Sequence, residues 1–176
     1  SPTFSPDGKR LAYTSAHDGS NQLYVRWLDT GQTARVTNLQ NSPGAIVWSP
    51  DGKQIAFSMF TPSKGNSLFK GMPKKPKGAK WAGTATYIDT TNYREDGGGY
   101  VEPGFSHIYV VPSDGGSPRQ ISSGNFHHNG PINWSKDGKK IIIDADRDEN
   151  WQLRPRETDI YAINVVDSTF TQLTDR

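Results

Sequence analysis

Three in-phase copies of one turn-and-strand pattern predict an all-β chain, a β-propeller fragment of about three four-stranded antiparallel blades. The first observation is the repeated segment itself. It reads Phe4-Ser-Pro-Asp-Gly-Lys-Arg-Leu-Ala-Tyr13, then Trp48-Ser-Pro-Asp-Gly-Lys-Gln-Ile-Ala-Phe57, then Trp134-Ser-Lys-Asp-Gly-Lys-Lys-Ile-Ile-Ile143. The second is its spacing: Asp7 to Asp51 is 44 residues, and Asp51 to Asp137 is 86, close to twice that. The third is composition. The chain holds 18 Gly and 12 Pro, enough for many tight turns, and its 5 Trp, 7 Tyr and 7 Phe supply an aromatic core that disordered chains lack.

Each blade can be built from local chemistry. The segment before the shared turn is a short apolar strand, as in Ala45-Ile-Val-Trp48. In Pro50-Asp51-Gly52, Pro presets φ, Asp bonds its own backbone and Gly takes positive φ without penalty. The next strand alternates with period two, Ile55, Phe57 and Met59 on one face and Gln54, Ala56 and Ser58 on the other. Small and large residues alternate because blades pack face to face, burying both faces of a sheet. A third strand, rich in β-branched and aromatic residues, recurs as Leu23-Tyr24-Val25, Ile108-Tyr109-Val110 and Ile160-Tyr161-Ala162. A fourth comes after a turn in each copy: Thr33-Ala-Arg-Val-Thr37, Pro118-Arg-Gln-Ile-Ser122 and Phe170-Thr-Gln-Leu-Thr174. Blade 1 is expected at about 3–39, blade 2 at about 45–122 and blade 3 at about 131–175. The doubled interval is explained by an insertion in blade 2, at about 62–106. No stretch has a helical period with a cap.

Composition excludes several classes. No run of 18 apolar residues exists, so no membrane span is expected. Without Cys there is no disulfide framework, thiolate nucleophile or Cys-ligated zinc, and this fits an oxidising compartment and the cytoplasm alike. SPTFSPDGKR has no apolar leader segment. The formal net charge of +2 argues for no nucleic-acid partner. Propellers close with four or more blades, so three imply a piece of a larger ring. An open stack exposes apolar faces, so self-association is expected, with six blades from two copies as one arrangement.

The insertion and the segments after it carry a resemblance. The segments Met72-Pro-Lys-Lys-Pro-Lys-Gly-Ala-Lys-Trp81, Asn92-Tyr-Arg-Glu-Asp-Gly-Gly-Gly-Tyr100 and Phe105-Ser-His-Ile-Tyr-Val-Val-Pro-Ser-Asp-Gly-Gly116 precede Asn150-Trp-Gln-Leu-Arg-Pro-Arg-Glu-Thr-Asp-Ile-Tyr161 and Gln172-Leu-Thr-Asp-Arg176. This succession resembles the propeller domain of bacterial S9 serine peptidases, the prolyl oligopeptidase family with its acylaminoacyl peptidases and dipeptidyl aminopeptidases. The shared turns alone resemble TolB-like repeats of the PD40 or WD40-like kind. The resemblance implies a partner α/β-hydrolase domain in the same parent chain, short peptides as substrates, and a periplasmic or extracellular compartment. It also implies that the propeller covers the active site and filters access. The family's nucleophile lies in Gly-x-Ser-x-Gly, which is absent here, so this chain alone is expected to carry no catalytic residue. The rival reading is a TolB-like scaffold that binds a protein in the cell envelope.

Candidate sites are few. Lysines 64, 70, 74, 75, 77 and 80 lie close together without an acid, yet Phe69 and Trp81 are too sparse for stacking on nucleic acid, so a solvated loop is expected. The run Asp144-Ala-Asp-Arg-Asp148 mimics the start of a calcium loop but has Glu149 and Pro155 where Gly and Glu belong. His127 and His128 are adjacent, so on a strand they point to opposite faces and would not share a metal. No metal or cofactor is expected. The best substrate-binding candidates are Arg94 with Asp96, and Arg154, Arg156 and Glu157. Arg forks grip carboxylates and peptide carbonyls, and Glu holds a free amine. Mutual pairing between blade loops is the alternative role for the same residues.

Overall fold

The computed structural model describes residues 2–66, 71, 73–82, 87–154 and 157–174. Their strands form three four-stranded antiparallel sheets and one two-stranded ribbon. Blade 1 holds β1 (Thr3–Phe4), β2 (Arg10–Ser15), β3 (Gln22–Trp27) and β4 (Thr33–Arg35), hydrogen-bonded in that order. Blade 2 begins with β5 (Pro43–Trp48) and β6 (Gln54–Pro62). The ribbon, β7 (Arg94–Glu95) and β8 (Gly99–Tyr100), comes next, and then β9 (Gly104–Pro112) and β10 (Arg119–Gln120) complete blade 2. Blade 3 holds β11 (Ile132–Trp134), β12 (Lys140–Ala145), β13 (Asp159–Asn164) and β14 (Phe170–Gln172). Helical structure among the described residues amounts to a 3₁₀ turn at Trp151–Leu153.

The shared turn is one polar unit built three times. The Ser5 hydroxyl donates to Asp7 Oδ1 at 2.6 Å and accepts from the Arg10 amide at 2.9 Å. Asp7 Oδ1 also takes the Lys9 amide at 3.1 Å. The same bonds recur around Ser49 and Asp51, and around Ser135 and Asp137. Gly8, Gly52 and Gly138 sit at φ +69°, +67° and +68°, which explains the glycine in every copy. In all three turns the serine bond, and after it the lysine amide, holds the aspartate below its usual pKa.

Period two divides blade 2 between two cores. Ile55 and Phe57 of β6, with Tyr109 and Val111 of β9, join Leu23, Val25 and Trp48 in the core toward blade 1. The intervening Ala56, Ile108 and Val110 join Ile132, Ile141 and Ile163 in the core toward blade 3. Both faces are therefore buried, and Ala56 is small where Phe57 is large.

Polar contacts reinforce each seam. The Trp48 indole donates to the Thr3 carbonyl at 3.1 Å, and the equivalent Trp134 indole donates to the Val47 carbonyl at 3.2 Å. Phe4 holds the same repeat position in blade 1 and is 63% exposed. Arg10 reaches from blade 1 into blade 2, donating to Gly52 O at 2.7 Å and Ser113 Oγ at 3.0 Å, with its guanidinium 4.8 Å from the centre of the Trp48 ring.

A second polar unit closes each blade. Gln22, His107 and Asp159 begin the third-strand motif of their blades. Each bonds a hydroxyl fifteen residues on, Thr37, Ser122 and Thr174 respectively. That hydroxyl in turn accepts the amide of the residue after the first partner, Leu23, Ile108 or Ile160. The device ties the outermost segment of the blade to its third strand with side chains that differ in each copy.

The indole bonds give a direct test. Trp48→Phe and Trp134→Phe keep the ring and remove the donor, so each is expected to lower unfolding free energy by about 1 kcal/mol in urea titrations. Unchanged midpoints in both variants would mean that solvent replaces these bonds without cost.

Candidate functional site

The insertion leaves blade 2 at a pinned base. Pro62 pairs with Gly104 as the last partners of β6 and β9, and the Ser63 amide donates to Pro103 O at 2.9 Å. Gly104 has φ +152°, and a Cβ there would lie 2.5 Å from the Thr61 carbonyl oxygen and 2.6 Å from the Phe60 ring. Only glycine fits this crossing. Farther out the chain folds back as the β7–β8 ribbon around Asp96 and Gly97, with the Val101 amide bonded to Tyr93 O at 2.9 Å. The insertion is also fastened to blade 3. The Thr91 amide and hydroxyl both donate to Gln152 Oε1, at 3.0 and 3.1 Å.

Between the insertion and the loops of blades 2 and 3 lies a cleft of about 790 Å³. One wall is an aromatic group from three distant segments, Phe105, His127 and Trp151. The His127 ring lies 5.2 Å from Phe105 and 5.5 Å from Trp151, edge-on to the latter. The insertion supplies Tyr87, Ile88, Tyr93 and Tyr100, and the charged lining is Lys64, Asp89, Glu102 and Glu149. His127 Nδ1 accepts the Ser106 amide at 3.3 Å, which leaves its proton on Nε2. Burial pushes its pKa down, so the ring is neutral at pH 7.

The neighbouring histidine does something else. His128 is fully buried, and its Nε2 accepts from Arg147 Nη1 at 2.7 Å. Arg147 lies over the Phe170 ring at 4.1 Å and the Phe126 ring at 4.9 Å, and it also donates to Ser123 O at 3.2 Å. This knot joins the loop leaving blade 2 to blade 3. Burial first, then the Arg147 charge, push the His128 pKa down to about 3. Burial is also the leading cause of the lowered pKa of His107, whose ring centre is 5.4 Å from that of His128.

The sequence candidates fall at separate places. Arg94 and Asp96 are exposed on the β7–β8 ribbon, and neither lines the cleft. Arg154 bonds Asp148 at 3.1 Å, both side chains being partly exposed. Arg154 and Glu157 line a separate cavity of about 130 Å³ with Asp146, Asp148, Asp159 and Arg147. Arg156 lies outside the described residues. Asp146 and Asp148 accept the amides of Asp148 and Asn150, so the calcium-like run is committed to local turns. No group of three metal-ligating side chains exists among the described residues. Nor do the described lysines at 64, 74, 75, 77 and 80 form an ion pair with a described acid. Phe105, His127 and Trp151 were not legible as one site, since 22 and 24 residues separate them in turn and no spacing rule joins them.

Three blades with a shared inner turn, stacked through both sheet faces and carrying one loop insertion, define a β-propeller repeat protein. The chain belongs to the family of the TolB beta propeller domain, PD40, whose model matches residues 1–172. It is 26% identical over 149 residues to an uncharacterized peptidase, YuxL, of Bacillus subtilis, covering 84% of this chain and 22% of that protein. It is 28% identical over 187 residues to the Tol-Pal system protein TolB of Francisella tularensis, covering 99% of this chain and 40% of that one. Among solved structures, acylaminoacyl peptidase of Pyrococcus horikoshii superposes with a TM-score of 0.67 at 20% identity, over all of this chain and 25% of the other. The chain thus spans less than half the length of these relatives, and the propeller is related to peptidases and to TolB alike. No helix among the described residues is long and apolar enough to cross a membrane.

This geometry has two testable consequences. Gly104→Ala is expected to cost more than about 1 kcal/mol of stability, since the strain falls on backbone that cannot yield; wild-type stability would remove the pinned-base account. The pH dependence has two stages. His107, His127 and His128 have folded pKa values below 6.5, so their contribution is complete above that pH and is lost as pH falls. Asp7, Asp51 and Asp137, lowered from 3.8, add a second loss below that pH. Unfolding midpoints should therefore begin to drop below about pH 6.5 and steepen below about pH 4, and His128→Gln should flatten the first stage.

Proposed function

We propose that this chain is a non-catalytic portion of the propeller of a serine peptidase of the prolyl oligopeptidase class. In this reading it filters the access of short peptides to a hydrolase domain elsewhere in the parent protein. The observation that carries the reading is the cleft. A plain four-stranded repeat needs only a short connection between its second and third strands, as at 16–21 in blade 1, whereas this loop is pinned by Gly104, tied to blade 3 through Gln152 and lined with rings. Such a hollow suits a flexible peptide better than a folded surface. The likeness to the peptidase YuxL and to acylaminoacyl peptidase supports the same reading. Arg154 and Glu157, beside one small cavity, remain the proposed residues for gripping a chain end, with Arg94, Asp96 and Arg156 as further candidates.

A second reading is a TolB-like scaffold that binds a protein partner in the cell envelope. It is favoured by the match to TolB over 99% of the chain. The two separate on one experiment with the full-length parent protein. A fluorophosphonate probe is expected to label it covalently at a serine outside this chain, and Arg154→Ala and Glu157→Ala are expected to raise KM for short peptides with little change in kcat. An unlabelled parent without peptide hydrolysis would overturn the peptidase reading. Labelling with KM unaltered in both variants would remove the two residues from substrate binding.

A further inference from the structure

The loop between blades 2 and 3 carries the chain's one Asn-Gly pair, Asn129-Gly130. An asparagine before glycine is open to attack by its own backbone. The nitrogen of the next residue meets the side-chain Cγ and closes a five-membered ring, and glycine has no Cβ to shield that nitrogen. In a folded protein the attack depends on what holds the side chain and the backbone. Asn129 is exposed and lies outside every strand. Among the described residues its side chain makes no hydrogen bond, and the amides of Asn129 and Gly130 have no backbone partner. Other asparagines are held or hindered. Asn41 and Asn66, each followed by serine, donate their side-chain amides to Phe60 O and to Asp89. Asn125, Asn133 and Asn150 precede Phe126, Trp134 and Trp151, whose bulk obstructs the approach.

Both ends of this connection are fixed. The His128 amide donates to Ser106 O at 2.8 Å, and Ile132 opens β11 paired with Ile143. Residues 129–131 span the interval, and Pro131 has a fixed φ. Asp144 lies against the middle residue, since a Cβ on Gly130 would collide with its carboxylate. A connection this short has little room for another backbone atom. We propose that Asn129 is a site of spontaneous deamidation, and that its isoaspartate product loosens the seam between blades 2 and 3. The Gly130 nitrogen, losing its proton to solvent base, bonds to Asn129 Cγ. The Cγ–Nδ2 bond breaks, and the amide nitrogen leaves as ammonia with a proton from water. Water then opens the succinimide. Breaking the Cγ–N bond yields aspartate. Breaking the bond from the backbone carbonyl carbon to that nitrogen yields isoaspartate, whose main chain is one carbon longer. Both products set a negative charge next to the residue that Asp144 touches. Isoaspartate alone also lengthens the connection between the two fixed ends, behind which lies the Arg147–His128 bond.

The test is peptide mapping by mass spectrometry of the folded chain aged at pH 8 and 37 °C. The amide-to-acid mass gain is expected at the peptide holding Asn129 before any other asparagine. That gain separates it from isomerisation at Asp-Gly pairs, which leaves mass unchanged. Because hydroxide removes the Gly130 proton, the rate should rise about tenfold from pH 7 to pH 8. An isoaspartate-specific methyltransferase should label the same peptide, and urea midpoints should fall as labelling rises. Asn129→Gln, whose longer side chain closes its ring far more slowly, should block the mass gain and keep the midpoint of the fresh chain. Asn129→Asp supplies the charge without the longer backbone, so fresh protein should unfold close to the unmodified chain. A fresh Asn129→Asp midpoint as low as that of the aged chain would overturn the backbone-length account. A gain no faster at Asn129 than at Asn41 or Asn66, or seen only in urea-unfolded chain, would overturn the site. Conversion with an unchanged midpoint would overturn its effect on the seam.

Discussion

A four-stranded sheet that is apolar on both faces needs a neighbour on each side, and that requirement organises this molecule. In β6 the burial of Ile55, Ala56 and Phe57 in unbroken succession has no other explanation, because period two sends them to different sides. The same requirement sets residue size. Ala12 and Ala56 keep one sheet close to the next, and Phe57 stacked 5.6 Å from Tyr109 fills the wider part of the seam toward blade 1. The polar contacts between blades are secondary in energy but selective in register. An indole reaching one specific carbonyl, as Trp48 and Trp134 do, fixes how far one wedge slides along the next. Hydrophobic attraction is non-directional, whereas an indole–carbonyl bond has one partner and one geometry and so adds to the register that side-chain size already favours.

The insertion escapes the requirement, which is why it can hold a different kind of surface. Its strands are two residues each and belong to no blade. Tyr93 and Tyr100 therefore remain available where the same side chains in a blade would be covered. Freedom has a cost in order, and the chain meets it at the base and at Thr91. Gly104 permits β6 and β9 to approach until their backbones touch, and Thr91 holds Gln152 on blade 3. A loop anchored at both places presents a hollow of defined shape without contributing to either core.

Legibility in the sequence divides along the same line. The blades were legible because each repeat solves an identical packing problem with nearly identical residues. The serine hub in the turn is an extreme case, since Ser5, Ser49 and Ser135 make matching bonds. The closing lock was harder to see. Gln22, His107 and Asp159 share a position and a hydroxyl partner at a constant interval, yet their chemistry differs enough to hide the repetition. Of the proposed binding residues, Arg154 and Glu157 do share a cavity, as their closeness in the chain allows, while Arg94 and Asp96 stand apart on the ribbon. The cleft itself was not legible, because its wall is assembled by tertiary packing from a strand start, an inter-blade loop and a 3₁₀ turn.

The pair His127–His128 shows how the cleft and the blades depend on each other. One ring stands in the cleft wall against Phe105 and Trp151. The next is sealed in the seam, accepting a bond from Arg147 four residues before Trp151. Both walls of the cleft at this point are thus set by the seam between blades 2 and 3. Residue 127 comes from one side and residue 151 from the other, and the Arg147–His128 bond holds the two sides in register. A neutral His128 is essential to that arrangement, because a second positive charge beside the buried guanidinium would repel it. Protonating His128 would set a second positive charge beside Arg147 and weaken the seam that positions the ring at the cleft, which ties a surface hollow to the electrostatics of a core. Propellers related to peptidases and to TolB share the blades, so a difference in function has to reside in features such as this hollow, where packing between repeated wedges positions residues that the wedges themselves do not need.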